Sequence, residues 1–141
     1  MALEVSRVDI WAGSVEDQPG GLLEKLAPLA EAGVELQYVM ARRASDKPGT
    51  GVVFLTPVKG ARQIQAAKKA GLHKTTSLFA VRAKGRDKPG LGAQITEALA
   101  AKDINLRGLS ASVIGRQFVM YLTLDSSADA TKAVRALKGM P

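Results

Sequence analysis

The chain has 141 residues, 46% of them hydrophobic and 23% charged, and no apolar stretch approaches the roughly 18 residues of a membrane span, so a soluble protein is expected. It contains no cysteine, which excludes disulfides, thiolate metal centres, a cysteine nucleophile and iron–sulfur ligation together. The formal charge of +7 is uneven: residues 1–71 hold nine Lys and Arg against eight Asp and Glu, and residues 72–141 hold eleven against five, so +6 of it lies in the second half.

Val8, Ile10 and Ala12 alternate with Asp9, Trp11 and Gly13, which predicts a half-buried first strand. Asp17-Gln18-Pro19-Gly20 ends it. Leu22, Leu23, Leu26 and Ala30 then recur at helical spacing, and Gly33 supplies the left-handed conformation that a helix end needs. Pro28 lies inside this helix and predicts a kink, because it removes a donor and crowds the carbonyl of Glu24. Strands are predicted over 34–43 and 51–58, turned by Asp46-Lys47-Pro48-Gly49, then a helix with Ile64, Ala67 and Ala70 on one face. His73 to Thr76 has room for a very short fourth strand.

The same order recurs. Phe79, Val81 and Ala83 alternate with Ala80, Arg82 and Lys84, placing basic residues 82, 84 and 86 on one strand face. Asp87-Lys88-Pro89-Gly90 forms the turn, Ile95, Ala98 and Leu99 mark a helix, and Asp103 takes the place of Gly33. Strands over 104–114 and 117–125 and a helix carrying Ala130, Ala133, Val134 and Leu137 follow. The second copy ends at Lys138-Gly139-Met140-Pro141 with no room for a last strand, so one sheet edge is expected to be abbreviated.

A shift of 70 residues lays Asp17 on Asp87 and Val34-Glu35-Leu36 on Ile104-Asn105-Leu106, without gaps over about 25 positions. Beyond the next strand a shift of 67 lays Val52-Val53-Phe54 on Val119-Met120-Tyr121. Length changes of this kind belong in loops. The chain therefore reads as an internal duplication with units over 1–71 and 72–141. Each is α+β: two ferredoxin-like (βαββαβ) units, two-layer sandwiches with antiparallel sheets, paired side by side so that each hides the other's edge.

An Asp-x-Pro-Gly turn between first strand and first helix, about 14 residues before an apolar-x-Leu strand start, resembles the ACT family of amino-acid-binding regulatory domains, here twice in tandem. The resemblance implies a stand-alone regulatory, allosteric protein that binds an amino acid between paired units, forms a homodimer and acts on an enzyme or transcription factor. It also implies the site residues: Asp17, Gly20, Gly21 and Leu22 in one turn, Asp87, Pro89, Gly90 and Leu91 in the other, and Glu35 and Asn105 at the strand starts. A helix N-terminus offers free N–H groups to a carboxylate, and glycine lets it approach the backbone. The bland alternative is that each Asp only caps its helix. Pairing Asp17 with Asn105 suits an amino acid, whereas Asp87 with Glu35 would repel its carboxylate, so one competent and one degenerate site are expected.

No enzyme is expected. His73 is the single histidine and has no acidic partner at a fixed spacing, the carboxylates form no metal pattern, and no cofactor motif is present. The N-terminus lacks the features of a secretory signal, giving a cytoplasmic expectation. The alternative is a nucleic-acid or protein-interaction module using the basic second half, but Phe54, Phe118 and Tyr121 lie in runs that read as core rather than as an exposed stacking face.

Overall fold

In chain order the elements are β1 (Glu4–Val8), β2 (Trp11–Glu16), α1 (Gly21–Glu31), β3 (Tyr38–Arg43), β4 (Thr50–Thr56), α2 (Gly60–Lys69), β5 (His73–Lys74), β6 (Phe79–Arg86), α3 (Leu91–Ala100), β7 (Gly108–Ile114), β8 (Gln117–Leu124) and α4 (Ser127–Leu137). They are taken from a computed structural model that describes residues 2–140. They form two compact units, an inner one spanning Asp9–Thr75 and a split one that joins the segment through Val8 to everything from Thr76 onward.

The inner unit has the sheet order β3-β4-β2-β5, all antiparallel. Apolar residues at alternate sheet positions and at helical spacing on α1 and α2 must share one side. Trp11, Val15, Val53 and Leu55 from the strands accordingly bury against Leu29, Ala67 and Leu72. Its fourth strand, β5, is two residues long and pairs His73 with Ala12. Helix α1 continues through Pro28.

The split unit repeats this arrangement as β1-β6-β8-β7, with α3 and α4 over one face. Val81, Phe118, Met120, Leu122 and Leu124 meet Leu91, Ile95, Leu99, Ala130, Ala133 and Leu137. Both units therefore have the ferredoxin-like order in which the first strand lies between the third and the fourth.

The split unit's fourth strand does not follow α4 but comes from the start of the chain. The edge expected to be abbreviated is filled by β1, antiparallel to β6 with Glu4 opposite Lys84 and Val8 opposite Ala80. Leu3 is 5% exposed and joins the core, and its N–H donates to the carbonyl of Met140 at 2.8 Å. Arg7 donates to the hydroxyls of Ser127 and Thr131 on α4, and its guanidinium lies 5.9 Å from the centre of the Phe79 ring. The alternation through Val8, Ile10 and Ala12 is therefore two strands, not one. It breaks at Asp9–Ile10, where the chain leaves one unit for the other. A single cut at residue 71 differs from this division, because residues before Val8 carry apolar side chains that only the β6 sheet covers.

The strands expected from Val34 and Ile104 begin later, at Tyr38 and Gly108. The helix ends match the sequence closely. Gly33 has φ 80°, and Asp103, at φ 58°, is the one non-glycine residue with positive φ among those described.

Candidate ligand-binding turns

The two helix-opening turns have nearly the same local geometry. Gly20 (φ 85°) and Gly90 (φ 80°) are the N-cap residues of α1 and α3, both left-handed, and neither helix receives a side-chain cap. Glycine is required there because a Cβ would strain that conformation. Asp17 and Asp87 are thus not the N-cap residues of these helices.

The uncapped amides lie slightly later than the sequence suggested. The N–H of Gly21 donates to the carbonyl of Gln18, and that of Leu91 to Lys88. The next amides, Leu22 and Leu23 in one unit and Gly92 and Ala93 in the other, have no carbonyl one turn before them within bonding reach. Leu91 has its side chain 2% exposed in the core, and its N–H is taken by the carbonyl of Lys88. Gly21 is held for a different reason, since a Cβ there would collide with the carbonyl oxygen of Glu16. Pro89 is exposed within its turn.

Each turn is stitched to the hairpin beside it. The Asp17 N–H donates to the carbonyl of Gly49 (3.2 Å), and the Asp87 N–H to the carbonyl of Arg116 (2.8 Å). The side chains then diverge. Arg43, at the end of β3, donates from Nε to Oδ2 of Asp17 at 2.8 Å. Matching registers, Tyr38 opposite Thr56 and Gly108 opposite Thr123, make Val113 the counterpart of Arg43. Asp87 accordingly forms no ion pair among the described residues. The sequence reasoning missed Arg43, although an Arg-for-Val exchange between the repeats marked it.

Glu35 and Asn105 are exposed residues of the loops leading into β3 and β7 rather than strand starts. Glu35 belongs to the inner unit with Asp17, Gly20, Gly21 and Leu22, and Asn105 to the split unit with Asp87, Pro89, Gly90 and Leu91. Of the basic strand residues, Lys84 pairs with Glu4 at 3.3 Å. Phe118 and Tyr121 are buried, so neither forms an exposed stacking face. Among the described residues no helix is long and apolar enough to cross a membrane, and no cluster of His, Asp and Glu has metal-binding geometry.

The profile of the ACT domain family matches residues 77–139. The chain is similar in structure to a protein of Bacteroides thetaiotaomicron, with a TM-score of 0.77 at 13% identity over 93% of this chain and 88% of that one. It is also similar to the regulatory subunit of aspartate kinase from Thermus thermophilus, with a TM-score of 0.67 at 15% identity over 97% and 95%. Aspartate kinase from Clostridium acetobutylicum matches with a TM-score of 0.59 at 14% identity, over 96% of this chain and 33% of that longer one. At these identities the likeness is one of fold. No curated relative matches the sequence.

Proposed function

Because residues 77–139 match the ACT-domain family and the same fold recurs in the inner unit, we propose that the chain is a regulatory sensor of a free amino acid, bound where such units pair. The observation that carries this reading is the inner unit's turn, where uncapped helix amides, an αL glycine and the Asp17–Arg43 ion pair stand together. An amino acid is a zwitterion. Its α-carboxylate suits the amides of Leu22 and Leu23 and the guanidinium of Arg43, and its α-ammonium suits Asp17.

The split unit's turn offers the same amides with Asp87, but Val113 replaces the arginine, so it complements only half of a zwitterion. The competent site is therefore the one built on Asp17, Gly20, Gly21 and Leu22. Asn105 completes it where the two kinds of unit pair across a dimer of chains, while Glu35 beside Asp87, Pro89 and Gly90 repels the ligand carboxylate. Occupancy stabilises the paired form, and that change is passed to an enzyme such as an aspartate kinase or to a transcription factor.

A thermal-shift screen of the twenty amino acids tests this directly, because a ligand that binds only the folded state raises Tm. One amino acid or a related pair should raise it, calorimetry should find one site per chain, and Asn105→Ala should weaken that site. No shift with any of the twenty, or two equal sites per chain, would remove the proposal.

A further inference from the structure

We propose that the split unit carries a second, separate site for a small polyanion, a molecule bearing at least two carboxylate or phosphate charges. The site is an open cavity of about 480 Å³ on the sheet face away from the helices, lined among others by Glu4, Lys84, Arg86, Ile114, Arg116 and Gln117. Strand geometry assembles it. Leu3, Val5 and Val81 point into the core, so the alternate residues Glu4, Lys84 and Arg86 face the other way. Register places Glu4 opposite Lys84, Arg86 opposite Gln117, and Gln117 opposite Ile114, and the turn before β8 adds Arg116.

The charges within the cavity are unbalanced. Lys84 is matched by Glu4, but Arg86 and Arg116 form no ion pair among the described residues, leaving three cations against one acid and a net of +2. Two guanidiniums sharing one cavity repel until an anion joins them, and their planar forks match carboxylate and phosphate oxygens in pairs. Gln117 adds amide donors, and Ile114, 78% exposed, offers an apolar lip to a carbon framework. The volume lies within the range of small-molecule sites, about 300–1,000 Å³.

The duplication supplies an internal control. The matching registers, Glu16 opposite Thr50 and Arg86 opposite Gln117, make Ser14, Glu16, Gly49 and Thr50 the inner unit's counterparts of Lys84, Arg86, Arg116 and Gln117. That corner has no cation and one acid, so the basic cavity is not something the fold imposes. It is specific to the unit that β1 completes, since Ala2 and Glu4 form its wall. Arg116 is also held in place from behind, because its carbonyl accepts the Asp87 N–H at 2.8 Å.

The test is calorimetry on the full chain at low salt with pyrophosphate in one arm and citrate in the other, the tighter arm identifying the phosphate or carboxylate source. Saturable binding of one molecule per chain is expected, weakening as salt rises, because exposed charges are screened. Arg86→Gln and Arg116→Gln should each reduce affinity about tenfold, the effect of losing one charge-assisted contact. Lys132→Gln, an exposed charge on α4 in the helix layer, should leave it unchanged. Circular dichroism melting of each variant establishes that it is folded before titration. The proposal is overturned if neither probe binds, or if Lys132→Gln weakens binding as much as the arginine variants do.

Discussion

Replacing Leu3 by alanine tests whether β1 is an integral strand of the split unit or a segment laid against it. The side chain is 5% exposed and belongs to the unit's core. It lies over Gly85, where an added Cβ would stand 2.8 Å from Leu3 Cδ2, so glycine's missing side chain leaves the space that leucine fills. Removing a buried leucine costs about 2–5 kcal/mol, and the lower part of that range, about 2–3, applies at a sheet edge where the vacated space can relax. Urea unfolding followed by far-UV circular dichroism reads this as a fall in midpoint. Ile114→Ala, at an exposed position on β7, should cost less than about 0.5 kcal/mol and serves as the comparison. Arg7→Ala should fall between them at about 1 kcal/mol, because its bonds to Ser127 and Thr131 are exposed. If Leu3→Ala costs no more than Ile114→Ala, then β1 is not an integral strand of that core.

The other predictions concern edges, turns and the ligand. Deleting residues 1–8 should leave β6 with an unpaired edge and produce concentration-dependent association in the ultracentrifuge, which a peptide of residues 1–9 should reverse by adding a strand in trans. Gly21→Ala should destabilise by about 1–3 kcal/mol through its clash with Glu16, while Gly92→Ala, with open space around it inside α3, should stabilise by about 0.5–1 kcal/mol; thermal melts of the pair measure both signs. Arg43→Ala should change stability by less than about 1 kcal/mol, since the arginine is largely exposed, yet abolish the amino-acid-induced rise in Tm. A retained rise would mean that the Asp17–Arg43 pair does not hold the ligand.

Much of the fold could be read from the sequence because the signal came twice. The two Asp-x-Pro-Gly turns, the periodicity of the helices, and Gly33 and Asp103 at the helix ends all follow from local chemistry, and the structure keeps them. The origin of the split unit's last strand could not be read that way. Val8, Ile10 and Ala12 alternate as smoothly as one strand would, and nothing local shows that Val8 pairs with Ala80 while Ala12 pairs with Phe54. Pairing between distant segments is set by which apolar faces remain uncovered, a property of the assembled sheet. The proposed site was partly readable for the same reason: the glycines declare their backbone conformation, but Arg43 is far from Asp17 in sequence, and only the hairpin register brings it close.

The nested order of the strands has a consequence for synthesis. As the chain leaves the ribosome, β1 appears first, but its partner β6 appears only after the whole inner unit has been made. That unit is closed on itself, with Ala12 paired to His73 and the Thr75 N–H bonded to the carbonyl of Ile10, so it is ready to fold as soon as residue 75 is free. Domains form as units in this vectorial way. Until residues 79–86 emerge, Glu4–Val8 waits as a strand without a sheet, and the bond from Leu3 to Met140 must close almost the entire chain. Contacts of such long sequence separation form late and slowly. The inner unit thus matures first, and the split unit is complete only when α4 has emerged and Leu3 meets Met140.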